Sequence, residues 1–545
     1  MLLGGMQDWP LRVSTIIDHA ATAYGRQEVV TRTVEGPIHR TDYATIAGRA
    51  RRVSAALQRM GVGIGDRIAT LAWNTYRHIE LWYGIAGAGA VYHTVNPRLS
   101  EDQIAWIVND AEDRMIFTDL CFVPLLEKLH DRVGGDRPVV VLTDRANMPD
   151  SPLDLLCYEE LIAAEEPGFA WIEVPETAPV GLCYTSGTTG APKGVLYTHR
   201  SNVLHSLTTS AADVLGFRSR SVIMPVVPMF HANAWAIAFS APMAGAKLVM
   251  PGQRLDGPSL CDLIEQEGVT CTAGVPTVWI GLIDEMRRRA FRSETLERII
   301  VGGSACPEWM MESLEREFGL DVVHAWGMTE MSPVGSFGLH KPGMAALDAA
   351  ARRKLQLKQG AAFYGVEMRI LDPEGRELPW DGVSAGRLQV RGCSVVREYF
   401  KGAGGDILDA EGWFDTGDLA TIDDYGYMQV TDRTKDVIKS GGEWISSVDL
   451  ENQASGHEEV VEAAAIGIPD DKWGERPLVA AIRTPGSDLC AERLRDWLRP
   501  RIARWWLPEQ IIFVDSLPHT ATGKLDKVTL RRMHAEGRLG TPARS

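Results

Sequence analysis

The stretch "TSGTTGAPKG", Thr185 to Gly194, gathers hydroxyls from Thr185, Ser186, Thr188 and Thr189 around Gly187, Gly190 and Gly194, with one ammonium, Lys193. Those are parts for holding phosphate, because backbone N–H groups of a glycine-rich turn converge on an anion and a lysine adds charge. Two familiar alternatives fail on spacing. A Walker A loop needs G-x-x-x-x-G-K-[ST], whereas Pro192 precedes Lys193 and Gly194 follows it. A G-x-S-x-G nucleophile elbow finds no support in "VGGSACP", where Cys306 stands in the final glycine's place. A plain surface turn meets the same spacing, so the rest of the chain must decide.

The elements that would position such a loop are legible nearby. Ile46, Val53, Leu57 and Met60 recur at helical spacing over Thr45 to Met60, and Gly61 follows as a stop. "DRIATLAW", "HIELWYGIAGAGA" and "VYHTVNP" then read as strand, helix and strand, a βαβ unit. Ser100 with Gln103 forms a capping box ahead of a helix over Glu101 to Ala111. Similar alternation continues for most of the first 430 residues, which predicts a large α/β domain of mainly parallel sheets. After Leu388 short strands joined by Gly and Asp turns take over, a β-rich subdomain. The expected division is residues 1–432 and a small α+β domain, 433–545, with a hinge near Asp432 to Lys435.

A chain of 545 residues exceeds what one hydrophobic core usually serves. Its 45% hydrophobic and 23% charged residues are those of an ordinary globular protein. A net charge of −16, with no basic cluster to offset it, argues against nucleic acid as a partner. The N-terminus lacks a basic start and a long apolar run, and the weakly polar stretch Ala236 to Ala246 stops at Lys247. A cytoplasmic, non-spanning protein is expected. The eight cysteines show no CxxC or Cys/His ligand spacing and are expected as buried free thiols.

"TSGTTGAPKG" also matches the signature of the adenylate-forming superfamily, and further strings follow in that family's order: "AWGMTE" (Ala325 to Glu330), "WFDTGD" (Trp413 to Asp418), "DRTKDVIKSGGEWIS" (from Asp432) and "HTATGK" (His519 to Lys524). The chain thus resembles acyl-CoA synthetases over nearly its whole length. The resemblance implies that ATP, Mg²⁺ and coenzyme A are used, with Ser186, Gly187, Thr188, Thr189, Gly190 and Lys193 covering the phosphates. Gly302, Gly303 and Ser304, with His324, Ala325, Trp326, Gly327, Met328 and Thr329, would form the slot for the base. In parallel sheets ligands sit beyond the carboxyl ends of strands, where these segments begin. Thr185 and Glu330 would serve Mg²⁺, which needs only one or two carboxylates besides substrate phosphates. Asp418 and Arg433 would hold the ribose, and Lys439 and Trp444 of the hinge motif are grouped with the nucleotide. Lys524 would be the catalytic lysine, with Glu330 and Thr185 sharing that role. Lys435 would be the pivot, and Gly441 with Gly442 would leave room for the pantetheine arm of CoA.

"VPMFHANAW" falls where that family builds its acyl pocket, and His231 follows Phe230 where amino-acid-activating members carry an Asp. His231, Ala232, Trp235, Val275, Pro276 and Trp326 would make a largely apolar wall. "PVVPMFHANAW" and "KSGGEWISSVDLE" look most like medium- to long-chain fatty-acid CoA ligases and 3-methylmercaptopropionate CoA ligases. Chain length is left open, since one methylene is worth only about 1 to 3 kcal/mol of discrimination in such a pocket. Aromatic and steroid acids stay open too, as does loading of a carrier protein. A non-catalytic acyl-nucleotide sensor is disfavoured by intact Lys524, Glu330 and Asp418. The resemblance further implies a homodimer and allows peripheral membrane contact. Phe363, Arg387 and Cys393 depart from the usual residues of the family.

Overall fold

The computed structural model describes residues 4–185, 192–440, 443–520 and 524–539. The βαβ reading holds: strand Arg67–Leu71, helix Tyr76–Gly87 and strand Val91–Thr94 follow one another, the strands parallel with Arg67 opposite Val91. Every residue of that helix is buried, so it is packed on all sides and not on one stripe. The preceding helix spans Tyr43–Arg59, starting two residues before Thr45, because the Asp42 side chain accepts the Thr45 N–H at 2.8 Å and caps it. Both halves of the Ser100/Gln103 capping box form.

Two large sheets share a core with these helices. In the seven-stranded sheet the order is Leu155–Cys157, Val139–Val141, Met115–Thr118, Arg67–Leu71, Val91–Thr94, Pro179–Tyr184 and Gly194–Thr198. All neighbours are parallel except the last pair. The nine-stranded sheet is parallel from Asp321–Gly327 through Arg298–Val301, Cys271–Gly274, Val222–Pro225 and Lys247–Met250 to Glu28–Arg32, with antiparallel strands at both edges. One buried cluster takes Ile68, Tyr92 and Phe117 from the first sheet and Val29, Ile223 and Ile300 from the second.

The antiparallel part begins earlier than Leu388. Val366–Leu371 pairs with Gly386–Gly392, followed by Phe414–Ile422 and Met428–Arg433, and Leu388 lies in the second strand opposite Ile370. The Asp372–Gly375 turn already reverses the chain there. A further sheet starts at Ile438–Ser440 and contains Glu443–Ile445, Gly474–Arg483, Val460–Asp470 and Gln510–Phe513. Helices Ser447–Ser455, Ala491–Leu498 and Lys527–Ala535 complete an α+β unit with its own buried clusters. Asp432, buried at the end of the four-stranded sheet, accepts the Ser447 N–H (2.6 Å) and hydroxyl (2.9 Å), so the two sides meet just before the expected hinge.

Among the described residues no helix is long and apolar enough to cross a membrane. The cysteines are unpaired, but the expectation of buried thiols fails for Cys121, Cys393 and Cys490, which are exposed. Phe363 is buried, edge-on to His205, so the position that departs from the family pattern fills core volume. Arg387 pairs with Asp415 at 2.9 Å.

Candidate active site

The strands deliver their carboxyl ends to one region. Tyr184, the last residue of Pro179–Tyr184, leads into the glycine-rich loop, whose neck is closed by the Thr185 N–H on the Lys193 carbonyl at 2.9 Å. Ser186, Gly187, Thr188, Thr189 and Gly190 lie outside the described residues. Gly302 and Gly303 follow strand Arg298–Val301, and Ala325 to Gly327 end strand Asp321–Gly327. A Cβ on Gly327 would meet the Pro333 carbonyl at 2.1 Å, so backbone passes there that no side chain would permit. His324 is buried with Nδ1 on the Leu357 carbonyl at 2.9 Å, and Ser304 is exposed.

Trp235 and Val275, expected on the acyl side, meet Gly302 and Gly303 directly. Ala232 to Ala236 form a left-handed turn, with φ from +44° to +63° at five successive non-glycine positions. A buried triangle fixes it: the Tyr92 hydroxyl donates to Asn233 Oδ1 (3.3 Å), Asn233 Nδ2 to Asn202 Oδ1 (3.3 Å), and Asn202 Nδ2 to the Tyr92 hydroxyl (2.9 Å). The turn lays Trp235 against Gly302, where a Cβ would lie 2.9 Å from the indole, and Val275 stands as close to Gly303, at 3.0 Å. Pro276 is buried as the first residue of helix Pro276–Arg289. His231 lines a small cleft with Phe230, Thr94, Leu99, Ile107 and Tyr184. Burial, then Lys524 and Arg98, lower its pKa to about 4, so it is neutral at pH 7.

Glu330 is buried beside Thr329, whose carbonyl accepts the Tyr197 hydroxyl at 2.8 Å. Burial raises the pKa of its carboxyl, opposed by the Tyr399 hydroxyl, which donates to Oε1 at 2.7 Å, and by Arg433 and Lys524. Lys193 holds its ammonium over the Tyr399 ring, 4.9 Å from the centroid. Asp418 sits directly opposite Arg433 in the antiparallel ladder. Its Oδ1 lies 3.3 Å from Arg433 Nε, and its Oδ2 accepts the Trp326 indole N–H at 3.1 Å. Each oxygen keeps a further lone pair for a hydroxyl donor.

Lys524 joins the groups that sequence could only name separately. It sits in a loop closed by the Thr520 N–H on the Lys524 carbonyl (2.7 Å) and by a bridge between His519 and Leu525. Burial, then Arg433, push its pKa down to about 8 against the pull of Asp418 and Glu330, and the same ammonium acts on His231. His231, Glu330, Asp418, Arg433 and Lys524 therefore share one electrostatic neighbourhood. Lys439 and Trp444 face each other across the hairpin Ile438–Ser440/Glu443–Ile445, both exposed. Lys435 is exposed, and Gly441 and Gly442 lie outside the described residues.

The profile of the AMP-binding enzyme family matches residues 17–400, and that of the AMP-binding enzyme C-terminal domain matches residues 449–524. The chain belongs to the AMP-binding enzyme family. A 3-methylmercaptopropionyl-CoA ligase of Ruegeria lacuscaerulensis is 45% identical over 97% of this chain and 98% of its own. A medium-chain-fatty-acid–CoA ligase of Ectopseudomonas oleovorans is 44% identical over 98% of each, and a long-chain-fatty-acid–CoA ligase of Thermus thermophilus is 42% identical over 97% and 96%. The fold is shared with an anthranilate CoA ligase solved with anthranoyl-AMP, at TM-score 0.86, 23% identity and coverage of 98% and 99%. It is also shared with ATP-bound MatB of Rhodopseudomonas palustris, at 0.81, 24%, 96% and 99%.

In this AMP-binding enzyme, sequence reasoning missed Tyr399, Asn202, Asn233 and Tyr92. Each is a common residue type without a motif around it. Only the buried Asn after an Ala in "HANAW" carried a hint, since Asn is the non-glycine residue most tolerant of left-handed backbone.

Proposed function

We propose that this chain is an ATP-dependent acyl-CoA ligase that activates a hydrophobic carboxylic acid, a medium- to long-chain fatty acid. The observation that supports the reading is Asp418 held between Arg433 at 3.3 Å and the Trp326 indole at 3.1 Å, with Lys524 electrostatically coupled to Asp418, Arg433, Glu330 and His231. In the first step a carboxylate oxygen attacks the α-phosphorus of ATP and the bond to pyrophosphate breaks. Two anions must meet, so the protein contributes position and positive charge. Lys524 supplies that charge between carboxylate and α-phosphate, while Lys193 and the glycine-rich loop hold the β- and γ-phosphates. In the second step the CoA thiol loses its proton to solvent, sulfur attacks the acyl carbonyl, and the bond from the acyl carbon to the phosphate oxygen breaks to release AMP.

Among the described residues no cluster of three His, Cys, Asp or Glu could cage a metal. A half-engaged buried carboxylate nevertheless suits Mg²⁺, which takes most of its oxygens from phosphates and water. Glu330, with Thr185, would hold it, and the ion would neutralise charge on the phosphates. Both steps use one acyl position, and rotation of residues 433–545 about Asp432 to Lys435 would exchange Lys524 for the Gly441/Gly442 segment and the pantetheine arm. A neutral His231 imidazole beside the apolar Trp235 and Val275 supports an apolar acyl group. A second reading, 3-methylmercaptopropionate as the acid, is favoured by the 45% identity to ligases of that name. A cytoplasmic homodimer is part of the proposal, checked by sedimentation and fractionation.

The test incubates the protein with ATP, Mg²⁺ and CoA and a panel of octanoate, palmitate, 3-methylmercaptopropionate, benzoate and a steroid acid. AMP and acyl-CoA should appear together with at least one fatty acid. No AMP with any acid of the panel would overturn the ligase reading, and acyl-AMP without thioester would favour a carrier-protein acceptor.

A further inference from the structure

Tyr399 is buried, and two functional candidates touch it. Its hydroxyl donates to Glu330 Oε1 at 2.7 Å, and the Lys193 ammonium rests over its ring at 4.9 Å. Beside that ammonium is Gly404, at φ +85°, where a Cβ would come within 2.9 Å of Nζ. Cys183, Val195 and Tyr197 pack around the tyrosine and hold it still. Among the described residues neither Lys193 nor Glu330 has an ion-pair partner within 4 Å.

We propose that Tyr399 is a positioning residue for Mg·ATP: its hydroxyl fixes Glu330 Oε1 so that Oε2 faces the cation, and its ring shelves Lys193 for the departing phosphates. The inference rests on the roles proposed above for Glu330 and Lys193. A neutral hydroxyl orients the carboxylate without cancelling its charge, as a cation in that place would. A ring attracts the ammonium through its quadrupole and brings no counter-charge, so the lysine stays free to meet phosphate.

Calorimetric titration with α,β-methylene-ATP, in Mg²⁺ and separately in EDTA, tests both halves. Tyr399→Phe keeps the ring. It should weaken binding about tenfold in Mg²⁺, the scale of a lost hydrogen bond to a charged group, and by less than twofold in EDTA. In turnover KM for Mg·ATP should rise about tenfold while kcat falls less than threefold. Equal change in both media, or none, overturns the role of the hydroxyl. Tyr399→Leu, which removes the ring as well, should weaken binding in EDTA; unchanged binding there overturns the role of the shelf. Glu330→Gln should abolish the Mg²⁺ advantage, and if it does not, the failure belongs to the Glu330 reading beneath. The Mg²⁺/EDTA ratio is taken within each variant, so a loss of folded fraction, which scales both arms, does not imitate the effect.

Discussion

The turn Ala232–Ala236 and the Lys524 loop face one site but are held in opposite ways. Five left-handed residues, each costing roughly 1–2 kcal/mol, persist in the turn because Tyr92, Asn202 and Asn233 close a buried triangle around it and Trp235 seats on Gly302. Among the described residues the Lys524 segment is tied by the Thr520 N–H on the Lys524 carbonyl, the His519–Leu525 bridge and His519 on Glu462 at 2.8 Å, and its surroundings disfavour the charged form of the ammonium it carries. Strain locked by many contacts suits a surface that must keep one shape for an acyl group. A charge disfavoured by its surroundings suits the role proposed for Lys524, a group that enters for one step and leaves for the next.

The largest expected effect breaks the lysine side. Lys524→Ala should lower acyl-AMP formation by about 10²–10³-fold, the scale of removing one preorganised electrostatic group, while thioester formation from preformed acyl-AMP changes far less. Equal losses in both assays would remove the distinction drawn between the two regions. Next comes pH. Lysine is charged below its pKa and neutral above it, so with a value near 8 kcat/KM for adenylation should fall toward tenfold per unit as pH rises past about 8. Acyl transfer from preformed acyl-AMP should lack that limb, and a shared limb would assign it elsewhere. The smallest effect probes the rigid side. Asn233→Ala strands the Tyr92 and Asn202 partners in a buried place, and should cost about 2 kcal/mol of stability, read by denaturant unfolding. It should also raise KM for the acid a few-fold with KM for ATP unmoved; a change in ATP alone would sever the turn from the acyl side.

Local signals carried much of the fold. Periodicity and the Ser100/Gln103 box placed the βαβ unit and the following helix within a residue or two, because helix caps and strand-length apolar runs are properties of neighbouring residues. The switch to antiparallel strands was read late, at Leu388 and not at Val366, since the first strand of that sheet differs from a parallel strand only in what it pairs with. The order of "TSGTTGAPKG", "AWGMTE", "WFDTGD" and "HTATGK" identified the family and named most of the residues that converge on the site.

The sequence by itself therefore determined the class of chemistry and the sheet-and-helix alternation, and it nominated Lys193, Glu330, Asp418 and Lys524 from short contiguous strings. Tertiary structure alone decided the left-handed turn, which "ANAWA" would not choose without partners about 30 and 140 residues away. It also decided the shifted lysine and the tyrosine that touches Glu330 and Lys193. Desolvation, buried hydrogen bonds and ring contacts depend on which residues distant in the chain are brought within a few ångströms, and no local pattern carries that information.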